Sequence, residues 1–220
     1  MNFFWKACRK IGVLPNTPIR FGDAQAEAAA NPYTFYAPSS RSLSQIKAGD
    51  RVKVWFEYDK KPWHDYSGER MWVSTLSRND ENFVGVLESS PLDIIGLSPG
   101  SHLEFESKNI VSREVVDPEG DPTSRYSFGC IVSASVLDGK KPVGELVREE
   151  SVDATDSGWL IIGLGESIHE LHQHKKLEQV SCGAVLKMDD SWLVHFNAPV
   201  GSHFLRNAPD ENFRCIEAHE

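Results

Sequence analysis

Alternating apolar and polar positions predict several short strands in the first half of the chain. Between Arg51 and Tyr58 the apolar residues fall at every second position, as in a strand with one buried face. Shorter apolar stretches follow at 70–76, 83–88 and 103–111, and Asn79–Asn82 has the composition of a turn. Strands of this length and spacing predict a small, curved antiparallel sheet or an open barrel.

The second half of the chain centres on a run that is apolar at every position. Trp159–Ile162 is typical of a fully buried strand. It begins after the turn residues Asp156–Gly158 and ends at Gly163–Gly165, where two glycines allow a tight bend. The other elements predicted in this half are strands at 128–136, 143–148, 192–196, 203–205 and 213–216 and a helix at 166–179. Asp138–Lys141 predicts a hairpin turn between the first two of these strands.

The segment Asp117–Pro122 has the composition of a linker, with two prolines, one glycine and three acidic residues. We therefore predict an α+β protein of two small domains, dominated by antiparallel β-sheet and carrying a few short helices. Residues 41–122 would form a small antiparallel β domain, and residues 125–220 an α+β domain. Residues 1–40, which include the alanine-rich helix predicted at Ala24–Ala30, would form a helical and extended N-terminal appendage.

The charge of the chain narrows the kind of partner to expect. The 220 residues include 23 Lys and Arg against 32 Asp and Glu, so the net charge is −9. Non-specific nucleic-acid binding requires clustered basic residues, so we expect no nucleic-acid partner and favour a basic protein. The four cysteines form no CxxC pair, and no apolar run is long enough to cross a bilayer. We expect no membrane association and a cytoplasmic location.

The first predicted domain carries short matches to a known family. Gly49–Val54, Glu69–Val73 and Gly85–Leu87, followed by Pro91, give it a resemblance to the domain of unknown function 2314. That resemblance implies a fold and no particular activity.

The second predicted domain carries a more specific pattern, in Val143–Glu149, Asp156–Trp159 and Gly165–Glu166. It resembles the domain of unknown function 2185, also called immunity protein family 33. That family is inferred to neutralise secreted bacterial toxins by binding them. The resemblance implies a binding motif of eight residues: Arg148, Glu149, Asp156, Ser157, Gly158, Trp159, Gly165 and Glu166.

The same residues also have a structural interpretation. A pair of carboxylates could act in acid–base catalysis, but acids beside Arg148 favour a salt-bridge network. Asp156, two residues before Gly158, is expected to cap its own turn. Trp159 stands at the head of the apolar run and is expected to be buried.

A histidine-rich segment offers the only alternative chemistry. His169 and His172 are three residues apart, so on a helix they share a face and could bind a metal. The HExxH pattern of zinc peptidases requires histidines four apart, and a solvated helix face explains the segment equally. We predict no catalytic residue, no cofactor and no metal, with His169 and His172 as the alternative ligands.

The sequence thus favours a non-catalytic protein-binding module, a bacterial immunity protein whose partner is a basic toxin. Trp63, in a loop predicted over residues 60–68, is a candidate for an exposed partner contact. A metal-dependent hydrolase using His169–His174 and a housekeeping scaffold are the alternatives. The pattern does not indicate an oligomeric state.

Overall fold

The structure, a computed structural model, describes residues 19–58 and 68–216. These residues form two compact units. The first contains residues 19–30 and Tyr36–Asp121, and the second contains Asn31–Phe35 and the chain from Pro122 onward. Each unit has its own sheet and short helices. All strand pairs of the two sheets are antiparallel except one pair in the second sheet. The predicted α+β class is therefore confirmed. The loop predicted at 60–68, with Trp63, lies outside the described residues except for Gly68.

The first unit is built on one antiparallel sheet whose central strands follow each other along the chain. The strand order is β1-β2-β3-β4-β5, and β6 also pairs with β2. Its strands are β1 (Arg20–Phe21), β2 (Arg51–Glu57), β3 (Gly68–Asn79), β4 (Asn82–Leu87), β5 (His102–Glu106) and β6 (Ile110–Arg113). β3 pairs along the whole length of β2, so β1 and β6 share the other edge of β2.

This sheet must curl because of the short connection between β5 and β6. Only Ser107–Asn109 separate them, and the chain can span at most about 14 Å over that distance. In a flat sheet the two strands would lie four spacings apart, roughly 19 Å. The half-barrel that results encloses the predicted alternating residues, and Val52, Val54 and Phe56 are fully buried.

Two short helices and an anchored carboxylate complete the first unit. Helix α1 (Ala24–Ala30) is capped by Asp23, whose Oδ1 accepts from the backbone N–H of Ala26 at 2.9 Å. Both β1 and α1 lie in this unit, although the sequence analysis assigned them to an appendage. Helix α2 (Ser40–Ser44) is capped by Ser39. Asp117 accepts hydrogen bonds from Tyr36 Oη at 2.6 Å and from Ser39 N at 2.7 Å.

The second unit contains a mixed sheet in which chain order and spatial order differ. The strand order is β10-β7-β9-β8-β11-β12, with β7 parallel to β9 and every other pair antiparallel. Its strands are β7 (Gly129–Ser133), β8 (Val143–Arg148), β9 (Asp156–Gly163), β10 (Leu177–Ser181), β11 (His203–Leu205) and β12 (Arg214–Cys215). Its helices are α3 (Ala134–Leu137), α4 (Ile168–Gln173) and α5 (Cys182–Met188).

The core of the second unit is aromatic. Trp159 and Trp192 are both fully buried, and their rings meet edge-on with centroids 5.8 Å apart. Tyr33 joins this core from a distant part of the chain. Its ring meets Tyr126 at 5.4 Å, and its hydroxyl donates to Asp190 Oδ2 at 2.7 Å. That hydrogen bond raises the pKa of Tyr33 to about 12, and partial burial acts in the same direction. Residues 31–35 are therefore an integral piece of the second unit.

The predicted hairpin between 128–136 and 143–148 is wrong. β7 ends at Ser133, α3 follows at once, and β8 pairs with β9 and β11 instead of β7. The Asp138-Gly139 pair ends this helix: Gly139 has φ +67°, and its N–H donates to the carbonyl oxygen of Val136. A glycine in this conformation is as typical of a helix C-terminus as of a hairpin, which explains the error.

Two further predicted elements also differ. The helix expected over 166–179 covers only Ile168–Gln173, because Lys175 adopts a left-handed backbone conformation (φ +52°) and β10 starts at Leu177. The strand expected at 192–196 is a 3₁₀ turn, Leu193–His195. An apolar run this short fits a strand and a helical turn equally, and for this reason the prediction of a strand was wrong.

Candidate functional site

The motif residues lie at the two ends of β9. We call residues 152–158 the entry turn of β9 and Gly163–Glu166 its exit turn. β9 itself has eight residues, Asp156–Gly163, so at about 3.3 Å per residue its two ends lie roughly 23 Å apart. The structure therefore does not bring Glu166 together with Arg148, Glu149 and Asp156. These four residues are near one another in sequence but do not form a cluster in space.

Asp156 organises the entry turn. Its Oδ1 accepts from the N–H of Gly158 at 3.0 Å, and its Oδ2 accepts from the N–H of Val152 at 2.9 Å. Both carboxylate oxygens thus bind the backbone of the turn, and the predicted capping role is confirmed.

Gly158 lies where no other residue fits. Its φ is +73°, and a Cβ at this position would overlap the carbonyl oxygen of Glu149. The same contact lets Glu149 donate its N–H to Gly158 O at 2.8 Å, which continues the β8–β9 ladder into the turn. The glycine is therefore required by close backbone packing.

Trp159 is 1% exposed, so its predicted burial is confirmed. Its Nε1 donates to the carbonyl oxygen of Phe196 at 3.3 Å. Arg148 is the residue opposite Trp159 in the ladder, and its guanidinium lies 5.1 Å from the Trp159 ring centroid. This is a cation–π contact.

Arg148 does not form the salt bridge expected for it. Among the described residues no carboxylate lies within ion-pair distance of its guanidinium, and its buried Nε has no hydrogen-bond partner there. Glu149 and the adjacent Glu150 point to solvent. The Arg148 guanidinium is stabilised by its contact with the Trp159 ring, and the acids beside it in sequence remain on the surface.

Ser157 is buried in a small polar cluster with two thiols. Its Oγ accepts from the N–H of Trp159 at 3.2 Å and from Cys182 Sγ at 3.3 Å. Cys182 also forms a hydrogen bond with Cys130. This second bond raises the pKa of the Cys130 thiol, and burial raises it further. The thiol of Cys130 thus stays protonated, and Ser157 serves to hold the start of β9 against α5.

Glu166 anchors the exit turn. Its Oε2 accepts from Ser135 Oγ at 2.8 Å, and Lys141 Nζ lies 3.7 Å from its Oε1. Partial burial opposes ionisation, but the hydrogen bonds from Ser135 and Ser133 and the charge of Lys141 outweigh it, so the pKa of Glu166 is lowered. Gly165, with φ +70° and open space around it, provides the bend. Glu166 is an ionised structural carboxylate held by Ser135 and paired with Lys141.

The histidines proposed as alternative metal ligands lie on the surface. His169, His172 and His174 are all exposed, and His169 Nε2 lies 3.0 Å from Gln173 Nε2. Within residues 19–58 and 68–216 no three His, Cys, Asp or Glu side chains are grouped as metal ligands would be. Nor does any helix in those ranges have the length and apolar character needed to cross a bilayer.

Asp189 and Arg206 form a buried ion pair that no local pattern in the sequence predicted. Arg206 is 4% exposed and donates from Nη2 to Asp189 Oδ2 at 2.9 Å and from Nε to the carbonyl oxygen of Val143 at 2.6 Å. Asp189 also accepts from the N–H of Val143 at 2.8 Å. The local sequence gave no signal, because Asp189 and Arg206 meet only after α5 and β11 have folded.

The comparisons with known proteins concern this second unit. Residues 130–217 match the family model described as the immunity protein Imm33 domain. The predicted resemblance of the C-terminal half is therefore confirmed. The resemblance of residues 41–122 to the domain of unknown function 2314 stays a prediction. No curated protein and no solved structure matches the chain.

Proposed function

We propose that the protein neutralises a toxin by binding it through the second unit. The observation that carries this proposal is the match of residues 130–217 to the Imm33 immunity domain. The matched segment includes the sheet from β7 to β12 except the start of β7, together with the three helices of the unit. It therefore supports a role for this unit as a whole.

The state of the motif residues supports binding without catalysis. Asp156 caps a turn, Ser157 and Trp159 are buried, and Glu166 is engaged by serines and a lysine. A general base or nucleophile must reach its substrate, and these groups already bind other parts of the chain. Most of the motif residues thus support the second unit from inside, and the contacts to a partner come from exposed side chains.

A basic toxin and a cytoplasmic location belong to the same proposal. Residues 125–220 carry nine Lys and Arg and fifteen Asp and Glu, a net charge of −6. Such a surface attracts a basic partner and accelerates its association. The free thiols of Cys130, Cys182 and Cys215 are consistent with a reducing compartment.

The test is rescue of a poisoned cell. A partner captured from the native host is placed under an inducible promoter in a second bacterium, with and without this protein. We expect growth to be restored by the full chain, together with a stoichiometric complex of the purified proteins. If the partner forms the complex but still stops growth in cells that make this protein, the proposal is contradicted.

The electrostatic part has its own measurement. Raising the ionic strength from about 0.01 M to 0.1 M shortens the Debye length from about 30 Å to 10 Å. We expect the association rate to fall steeply over this range while the dissociation rate changes little. An association rate independent of salt would show that the partner is not selected by charge.

A further inference from the structure

A cleft of about 360 Å³ opens on the surface of the second unit, within residues 191–213. It lies between the 3₁₀ turn at Leu193–His195 and the segment that leads into β12. The side chains that matter for its chemistry are Val194, His195, Arg206, Asp210, Glu211 and Phe213. All of them fall inside the Imm33 match, and none belongs to the motif at the ends of β9.

The walls of the cleft are fixed by packing. The Arg206 guanidinium lies 4.6 Å from the Phe213 ring centroid, and Arg206 Nη1 donates to the carbonyl oxygen of Pro209 at 3.0 Å. The His195 ring packs on Phe204 in a tilted arrangement, with centroids 4.2 Å apart, and meets Phe213 edge-on. A site with walls held in this way is formed before a partner arrives, which lowers the entropic cost of binding.

The charges around the cleft do not cancel. The cation of Arg206 is neutralised by Asp189 at 2.9 Å, and burial lowers the pKa of His195, which keeps the imidazole neutral at pH 7. Asp210 and Glu211 are exposed, and no Lys or Arg of the described residues forms an ion pair with them. Asp210 and Glu211 therefore give the lining of the cleft two negative charges without a cationic partner in the described ranges, and Glu211 Oε2 also accepts from the N–H of Asn207 at 3.2 Å.

Two further features suit a long cationic side chain. Val194 is 83% exposed beside the acids, so an aliphatic chain can pack on it. Neither ring nitrogen of His195 has a hydrogen-bond partner in the described part of the chain, and a neutral imidazole offers one acceptor nitrogen. An ammonium or guanidinium group can donate to that nitrogen and to the two carboxylates.

We propose that this cleft receives a Lys or Arg side chain of the protein partner. The inserted cation would meet Asp210 and Glu211, with its stem on Val194 and its tip near His195. The inference rests on the proposed function for its biological setting, but the chemistry of the cleft can be tested without the toxin. An inserted cationic anchor would explain how an acidic surface selects one position on a basic partner.

The first experiment titrates the full chain with N-acetyl-lysine methylamide and follows backbone amides by NMR. We expect chemical-shift changes concentrated at residues 191–213. In the double variant Asp210→Asn/Glu211→Gln the affinity should fall by roughly fivefold or more. Glu150→Gln/Glu178→Gln removes the same charge from two other exposed acids of this unit, neither of them in the motif, and is expected to leave the affinity unchanged. N-acetyl-norleucine methylamide, which lacks the ammonium group, is expected not to bind.

Three results would overturn the inference. They are equal binding of the norleucine compound, equal loss in both double variants, and shifts at the cleft on adding acetate instead of the cation. The last result would mean that Arg206 makes the cleft an anion site.

The second experiment separates this inference from the proposed function. If the lysine compound binds in the cleft but no toxin is neutralised, the proposed function fails and the cation site stands. If a toxin is neutralised equally by wild type and by Asp210→Asn/Glu211→Gln, the cleft inference fails and the immunity role stands. We expect Asp210→Asn/Glu211→Gln to lose neutralisation while its melting temperature equals that of the Glu150→Gln/Glu178→Gln control.

Discussion

In the described part of the chain the two sheets contain six strands each but are assembled in different ways. In the first sheet β2, β3, β4 and β5 are neighbours both in sequence and in space, joined as an antiparallel meander. In the second sheet β9 lies between β7 and β8, and β10 returns to pair with β7 at the edge. Local pairing costs little loop entropy, whereas the second arrangement requires contacts between distant segments.

The cores reflect the same difference. The first core is formed mainly by aliphatic residues and phenylalanines that alternate along strands, such as Val52, Val54 and Phe83. The second core gathers Trp159, Trp192 and Tyr33 from three separate parts of the chain. Large aromatic side chains can fill a core that is not made of regular alternating strands, because each buries a large area. The order of elements in a chain thus influences which side chains are needed to close a core.

The largest effect is expected from removing a core aromatic in either unit. Trp159→Ala and Phe83→Ala should each cost about 3–5 kcal/mol, because both side chains are fully buried. If the units unfold independently, calorimetry will show two transitions, with Trp159→Ala lowering one and Phe83→Ala the other. A single transition lowered equally by both variants would mean that the two units unfold as one, and would contradict independent domains.

A smaller effect is expected at the glycines of the two β9 turns. Gly158 and Gly165 both have positive φ, but only Gly158 would bring a Cβ onto a backbone oxygen. Gly165→Ala should cost about 1–2 kcal/mol from the left-handed conformation alone, and Gly158→Ala should cost more. Urea unfolding of both variants measures the difference. Equal losses would show that the entry turn can relax away from Glu149.

In the first unit, the ionisation of Asp117 should make the free energy of unfolding depend on pH in the acid range. Partial burial opposes its ionisation, but hydrogen bonds from Tyr36, Glu119 N and Ser39 outweigh this and hold its pKa well below the usual range. A carboxylate with a lowered pKa contributes stability that is present above its unfolded pKa of about 3.8 and is lost as the pH falls toward its folded pKa.

Asp117→Asn should therefore destabilise the first unit by about 1–3 kcal/mol at neutral pH, as expected for lost hydrogen bonds to a charged group. It should also flatten the fall in stability below pH 3.8. Thermal unfolding between neutral pH and strong acid measures both effects. Asp121→Asn, which removes a nearby charge, is the control. An unchanged acid profile in Asp117→Asn would assign the pH dependence to other carboxylates.

The smallest change is a single cut between the units. We predict proteolysis within residues 118–123, giving fragments of about 120 and 100 residues, because the Asp117–Pro122 segment has linker composition and most of it is exposed. The fragments should still elute together under native conditions, since Tyr33 in the first fragment packs on Tyr126 in the second. Tyr33→Ala should weaken that association. Cuts spread through both halves would contradict the boundary.

The sequence was informative where structure is local. The alternation at Arg51–Tyr58 identified β2, and Asp23 and Asp156 were recognised as caps from their immediate neighbours. It was not informative about which strands pair. Asp138-Gly139 fits a hairpin and a helix end equally, and only the parallel β7–β9 pairing decides between them.

The same limit applies to the candidate site. Arg148, Glu149, Asp156 and Glu166 are close in sequence, but a strand between Asp156 and Glu166 holds them apart. Arg206 and Asp189 are 17 residues apart in sequence, about as far as Arg148 is from Glu166, and they do form a buried pair. Separation along the chain is thus a poor guide to separation in space for polar groups on either side of an extended strand.

The membership of residues 31–35 in the second unit has a consequence for synthesis of the protein. Tyr33 leaves the ribosome 157 residues before Asp190, the partner of its hydroxyl. At 5–20 residues per second, roughly 8–30 s pass between the two events. The first unit can fold in that time. In the second unit, Tyr33 has no Asp190 to bind until translation is nearly complete. An early segment thus commits its side chain to a core that is made last, so a gene fragment starting at residue 122 would encode a second unit missing part of its interior.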